Sequence, residues 1–157
     1  MSGKDPVGLF GRTPKQLHVE KVCALTPALE NALRQLMPQL RATARAPSPE
    51  ALAKVLADPA TTLLAAYEGD AILGLAVVAV YRRLSGVSAH LHDVVVDAAA
   101  RGRGVGAALV STAIEVARER GADGLELTSA PWREAANRLY PRLGFQLRET
   151  NVYWLKL

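Results

Sequence analysis

The chain has 157 residues, half of them hydrophobic, with 19 Lys and Arg against 15 Asp and Glu for a formal charge of +4. That length and apolar content suit one folded domain with its own core and exclude a disordered adaptor. The basic residues are dispersed rather than massed, which points to an anionic small ligand and away from nucleic acid.

In chain order, residues 1–15, MSGKDPVGLFGRTPK, lack the apolar centre of a signal peptide and read as a loose lead to a single domain over 16–157. Gln16 to Cys23 alternates in part and suits a first strand. Cys23 is the only cysteine, so an internal disulfide is excluded and a reducing cytoplasm is the expected setting. Thr26-Pro27 is a cap followed by a helix-opening proline. The helix is expected to run to about Arg41, with Leu29, Leu33, Leu36, Met37 and Leu40 on its inner face despite Pro38. Ser48-Pro49 opens a second, short helix that stops at Asp58-Pro59.

From Thr61 the pattern changes to strands. Thr61 to Tyr67, Ile72 to Tyr81 and Ser88 to Asp97 are separated by turn chemistry at Glu68-Gly69-Asp70 and Leu84-Ser85-Gly86, which predicts three consecutive antiparallel strands. The longest apolar run, Leu73 to Tyr81, is too short to cross a bilayer, so no membrane partner is expected. A helix follows from Gly104 to about Arg120, with Gly121 as its C-cap. Leu125 to Ala130 reads as a strand and Arg133 to Leu143 as a helix ending at Gly144. Phe145 to Leu147 and Asn151 to Leu157 read as a closing hairpin. The order is β-α-α-β-β-β-α-β-α-β-β, an α+β chain of about seven strands and four helices.

The stretch Leu91 to Leu109 joins a strand, an Arg and Gly loop and a helix start. Glycines let a backbone approach a phosphate closely, and a helix N-terminus adds N–H donors and partial positive charge. Arg101 and Arg103 add charge that suits a pyrophosphate or a ribose phosphate. A Walker A loop is excluded because no Gly-Lys-Ser/Thr follows. Gly102, Gly104 and Ala107 also satisfy G-x-G-x-x-G/A, the dinucleotide fingerprint. Against that reading, five residues separate the strand from the glycines, and the strands before it are hairpins rather than βαβ units.

Arg101-Gly102-Arg103-Gly104-Val105-Gly106 fits Arg/Gln-x-x-Gly-x-Gly/Ala and resembles the acetyl-CoA loop of the GCN5-related N-acetyltransferases (GNAT). The later run AANRLYPRLGF, Ala135 to Phe145, is similar to that family's helix carrying an Asn, a Tyr three residues on, and Leu-Gly-Phe. The resemblance covers about Gln16 to Leu157, nearly the whole chain, with the two motifs in the family's order. The resemblance implies a mixed, mostly antiparallel sheet flanked by helices. It implies acetyl-CoA as co-substrate and a small amine or peptide as acceptor, and it leaves open a homodimer. Arg101, Gly102, Arg103, Gly104, Val105, Gly106 and Ala107 would hold the CoA phosphates. Val94, Val95 and Val96 would lie on a strand splayed from Leu125 to Ala130, and the pantetheine arm would enter the notch. There a backbone N–H near Val94 or Val95 would polarise the thioester.

Asn137 and Tyr140 lie three residues apart, nearly one helical turn, and so share a face. The resemblance makes Asn137 a cofactor contact and Tyr140 the acid that protonates the leaving thiolate. Pro141 follows directly, frees the Asn137 carbonyl and predicts a kink. For a base the strand offers His92 and Asp93. His90 and His92 alternate onto one sheet face and Asp93 onto the other, so all three meet one pocket only through a bulge. Hydrogen-bonded structural roles fit these residues too. A metal reading of the two histidines lacks a third ligand and is set aside. Trp132 and Trp154 are candidates for lining an acceptor pocket or for closing the core. A non-catalytic acyl-CoA-binding or sensor module on the same fold is the alternative reading.

Overall fold

The computed structural model describes residues 16–157; the expected lead, 1–15, lies outside the described residues. The elements are β1 (Leu17–Lys21), α1 (Pro27–Leu40), α2 (Pro49–Ala57), β2 (Thr61–Glu68), β3 (Ala71–Arg83) and β4 (Gly86–Val96), followed after a short 3-10 turn by α3 (Val105–Glu119), β5 (Gly124–Glu126) and α4 (Glu134–Arg142). One sheet takes the strands in chain order. The first four pair antiparallel, and β5 joins β4 in parallel. The α+β class, the strand alternation and the four helices are as the sequence implies.

Local chemistry accounts for the helix ends. Thr26 Oγ1 accepts from the Leu29 N–H at 3.1 Å and Ser48 Oγ from the Ala51 N–H at 3.2 Å, so each N-terminus has a capping oxygen just before its proline. Helix α3 ends in a Schellman motif around Gly121, whose φ is 73°. Helix α4 ends in the same way around Gly144, with the Phe145 N–H on the Tyr140 carbonyl at 3.1 Å. Pro141, where the sequence predicts a kink, does not end the helix. Pro141 falls in the last turn, and the Leu143 N–H still reaches the Leu139 and Tyr140 carbonyls, so the helix runs on to Arg142.

The sheet buries both faces. Against α3 lie Leu64, Ala66, Ala76, Val78 and Leu91 with Val105, Leu109, Val110, Ala113 and Val116. Against α1 and α2 lie Leu63, Ala65, Leu75 and Val95 with Leu29, Leu33, Leu36 and Leu52. This two-sided burial explains why β2 and β3 read as near-continuous apolar runs. Gly74 sets how closely α3 approaches: a Cβ there would sit 2.7 Å from the Val95 carbonyl oxygen and 3.2 Å from Val105. A lone glycine inside a strand pattern is the sequence signal for such an approach.

The last third departs from expectation. Only Gly124–Glu126 pairs with β4, at Ser88–His90, and the rest of the expected strand, 127–130, is not part of the sheet. The closing hairpin is absent among the described residues, which hold five strands rather than about seven. A three-residue parallel strand offers a final hairpin little edge to pair with. The segment instead passes Glu126, which Arg148 reaches at 2.9 Å, and leaves Leu147, Val152, Tyr153, Trp154 and Leu155 exposed. Trp132 and Trp154, each 82% exposed, close no core. Among the described residues no helix is long and apolar enough to cross a membrane.

Candidate active site

The edge of β4 is the organising feature. Past His90 it continues for six residues, Leu91 to Val96, with no further pairing to β5. Along that open edge the register to β3 slips: Val77 faces His92 and Leu75 faces Val95, two steps on β3 against three on β4. The extra residue is a β-bulge, and Asp93 adopts a left-handed φ of 49° within it. The bulge lies where the sequence required one if His92 and Asp93 were to serve one pocket. Both are exposed there, while Val95 is buried on the α1 face and Val94 and Val96 pack toward α3. A non-glycine residue held at positive φ is sustained by its surroundings, here by the paired β3 and the helices behind it.

His90 and His92 stack, with ring centroids 4.2 Å apart and planes at 24°. Burial, then the neighbouring His92, push the His90 imidazole below its ordinary value, and Glu126 across the β4–β5 pair pulls the other way. His90 thus favours its neutral form beside His92. Among the described residues no group of three or more His, Cys, Asp or Glu is placed to hold a metal ion.

Beyond Val96 the chain turns into the glycine loop. The Asp97 carboxylate accepts from the Ala99 N–H at 2.8 Å, and Gln39 of α1 accepts from the Ala98 N–H at 2.8 Å. These ties fix the loop's entry. Gly102 and Gly104 take φ of 75° and 83°, and a Cβ on either would meet nothing within 4 Å. The loop is therefore backbone in a conformation glycine favours, opening onto free space at the N-terminus of α3. Gly106 sits lower, 3.6 Å from Leu139 of α4 by its would-be Cβ, so that α3 and α4 meet there. Neither arginine extends freely. Arg101 Nε donates to the Val96 carbonyl at 3.3 Å, and Arg103 pairs with Glu68 at the end of β2. The Arg103 pair is half-exposed and so weakly held.

Helix α4 brings its pair to the same end. Tyr140 packs against the α3-side core and meets Phe145 edge-on at a centroid distance of 5.7 Å. Burial raises its hydroxyl above the usual tyrosine value, and Arg133 opposes that rise. Asn137 does something the sequence did not suggest. Its amide N–H groups donate to the carbonyls of Ala130 at 2.9 Å and Pro131 at 3.3 Å, bracing the loop after β5 and leaving Oδ1 as the free end. In that loop the Ser129 hydroxyl is buried and has no partner.

The structure thus gathers Val94, Val95 and Val96, the loop Arg101 to Ala107, and α4 with Asn137 and Tyr140 around α3, and it sets His92 and Asp93 at the bulge. Sequence reasoning missed three positions. Gly74 carried a readable signal, and Arg133 carried one too, as a cation where a capping oxygen is expected. Ser129 carried none.

Known proteins of related sequence and shape fit this geometry. Residues 27–145 match the model of the acetyltransferase (GNAT) family. A protein named an N-acetyltransferase from Methanocaldococcus jannaschii is 41% identical over 69 residues, which cover 44% of this chain and 30% of that one. The matched stretch is thus under a third of that relative's length. A crystal structure named as a transcriptional regulator from Bacillus halodurans C-125 superposes with a TM-score of 0.75 at 30% identity, covering 88% of this chain and all of the other. AAC(6')-Iy, solved with the bisubstrate analogue CoA-S-monomethyl-acetylneamine, shares the fold with a TM-score of 0.72 at 18% identity, over 90% of this chain and 99% of its own. The match over 27–145 and the open, bulged β4 beside a glycine loop lead to one conclusion: this chain belongs to the acetyltransferase (GNAT) family.

Proposed function

We propose that the chain transfers the acetyl group of acetyl-CoA to a primary amine by direct attack, with no covalent enzyme intermediate. The observation that carries this is the unpaired, bulged edge of β4 leading into an open glycine loop, with Tyr140 packed against the same α3-side cluster as Val94 and Val96. The backbone of Arg101 to Ala107 suits a pyrophosphate, with Arg101 and Arg103 adding charge and Asn137 Oδ1 and the orphan Ser129 hydroxyl available for polar contacts. Unpaired backbone at Val94 to Val96 suits an extended arm laid along the strand, with an N–H free to polarise the thioester oxygen. Tyr140 is the acid for the departing thiolate. Its raised value keeps the proton at neutral pH, ready to be given. His92 or Asp93, exposed at the bulge, takes the proton of the attacking amine directly or through water.

The test is acetyl-CoA-dependent release of free thiol across a panel of amines: small amines, amino acids, antibiotic amines and peptides. The expected result is release that requires one amine class. Tight CoA binding with no amine-dependent release would instead mark a non-catalytic acyl-CoA-binding module, and displacement by NADPH but not CoA would mark a nucleotide-binding redox protein.

A further inference from the structure

Arg133 is the N-cap residue of α4, yet it makes no side-chain capping bond there. N-cap positions favour an acceptor oxygen, and a cation at a helix N-terminus opposes the macrodipole. The side chain is used elsewhere: Nη2 donates at 3.0 Å to the carbonyl of Leu40, the last residue of α1, in a part-buried place. That carbonyl stands at the negative end of α1. Tyr140 follows Arg133 by seven residues, two turns along the same face of α4. The Arg133 charge acts on the Tyr140 hydroxyl, lowering it against the effect of burial. Glu134 and Arg138 on the same helix pair with each other at 3.3 Å in solvent, Arg142 is exposed, and the cluster against which Tyr140 packs is apolar.

We propose that Arg133 is a positioning residue of the transfer step, tying the Tyr140 helix to the last turn of α1 and holding a cation where it stabilises the Tyr140 oxyanion. This rests on the reading of Tyr140 as the acid. In that step the amine nitrogen bonds to the acetyl carbon and the C–S bond breaks with its electron pair left on sulfur. The Tyr140 O–H gives its proton to the thiolate. The amine's proton leaves to the base, and water later returns a proton to the tyrosinate. A tyrosinate in half-buried, apolar surroundings is costly unless a fixed cation lies near it. Arg133, two turns before Tyr140 on the same face and anchored by Leu40 rather than free to swing, supplies that charge. The same tie joins the start of α4 to the end of α1.

The experiment compares Arg133→Gln, Arg133→Lys and Tyr140→Phe by steady-state thiol release across pH, with the best amine from the panel. Arg133→Gln should lower kcat about tenfold and leave the KM for acetyl-CoA within about twofold, the size expected when one charge leaves a proton donor. The basic limb of its kcat profile, which reports loss of the Tyr140 proton, should move to higher pH. Arg133→Lys keeps a cation and should bring that limb back toward the wild-type position. An Arg133 that only braces the fold would lower the Tm of both variants with the limb unmoved, and that result overturns the proposal. Wild-type turnover in Tyr140→Phe would overturn the acid reading itself. Lost turnover there, with an unmoved limb in Arg133→Gln, would overturn only the role of Arg133. Should Arg133→Gln fail to fold, Arg133→Met, which keeps the packing of the stem, replaces it with the same two outcomes.

Discussion

The two halves of the site are held by different forces. On the cofactor side, the loop Arg101 to Ala107 is carried by α3, whose Leu109, Val110 and Ala113 are fully buried against β2 and β3. On the acid side, α4 has no buried residue at all. It is held by partly buried Leu139, Tyr140 and Leu143, and by polar ties from Arg133 to Leu40 and from Asn137 to Ala130. Apolar burial fixes the proposed phosphate receptor in advance, so little ordering free energy would be spent on binding. A helix held by a few directional bonds is easier to shift, and the sequence around it is correspondingly harder to read.

Core truncation should separate the halves most strongly. Leu109→Ala removes a fully buried side chain and should cost about 2–5 kcal/mol in denaturant unfolding. Leu139→Ala on α4 should cost less than half of that while reducing turnover more, because it loosens the helix that carries Tyr140. Equal stability losses with unchanged turnover in Leu139→Ala would mean that α4 is as firmly packed as α3. A smaller effect concerns the strand between them. His92→Ala should lower kcat with the KM for acetyl-CoA unchanged; full turnover assigns the base to Asp93 or to water.

How much of this was legible in the sequence follows the same division. The apolar runs Thr61 to Tyr67 and Ile72 to Tyr81, and the caps at Thr26 and Ser48, lie within a few residues of the observed elements, because burial period and capping are local signals. The glycine loop was legible because positive φ demands glycine at Gly102 and Gly104. The bulge at Asp93 was legible only as a condition, since alternation shows that one is needed but not that the chain supplies it. The expected final hairpin, Phe145 to Leu147 with Asn151 to Leu157, is not among the five strands of the described residues; alternation reports a strand-prone segment, whereas pairing depends on a neighbouring edge that no local pattern encodes. The bonds of the Asn137 amide N–H groups to the loop after β5 were not legible, because no local pattern encodes the path of that loop. Arg133 was overlooked because its partner, Leu40, lies 93 residues away in sequence.

The central claim, that the loop Arg101 to Ala107 seats the acyl-CoA, is tested most directly by calorimetric titration of acetyl-CoA into wild-type protein and Gly104→Val. Gly104 lies at a φ of 83° with open space around it, so a side chain there projects into the expected phosphate site and strains the turn without touching the core. The account predicts saturable binding to the wild-type chain and at least about a tenfold weaker affinity in the variant, about 1.4 kcal/mol. Equal affinity in the two folded proteins would contradict it.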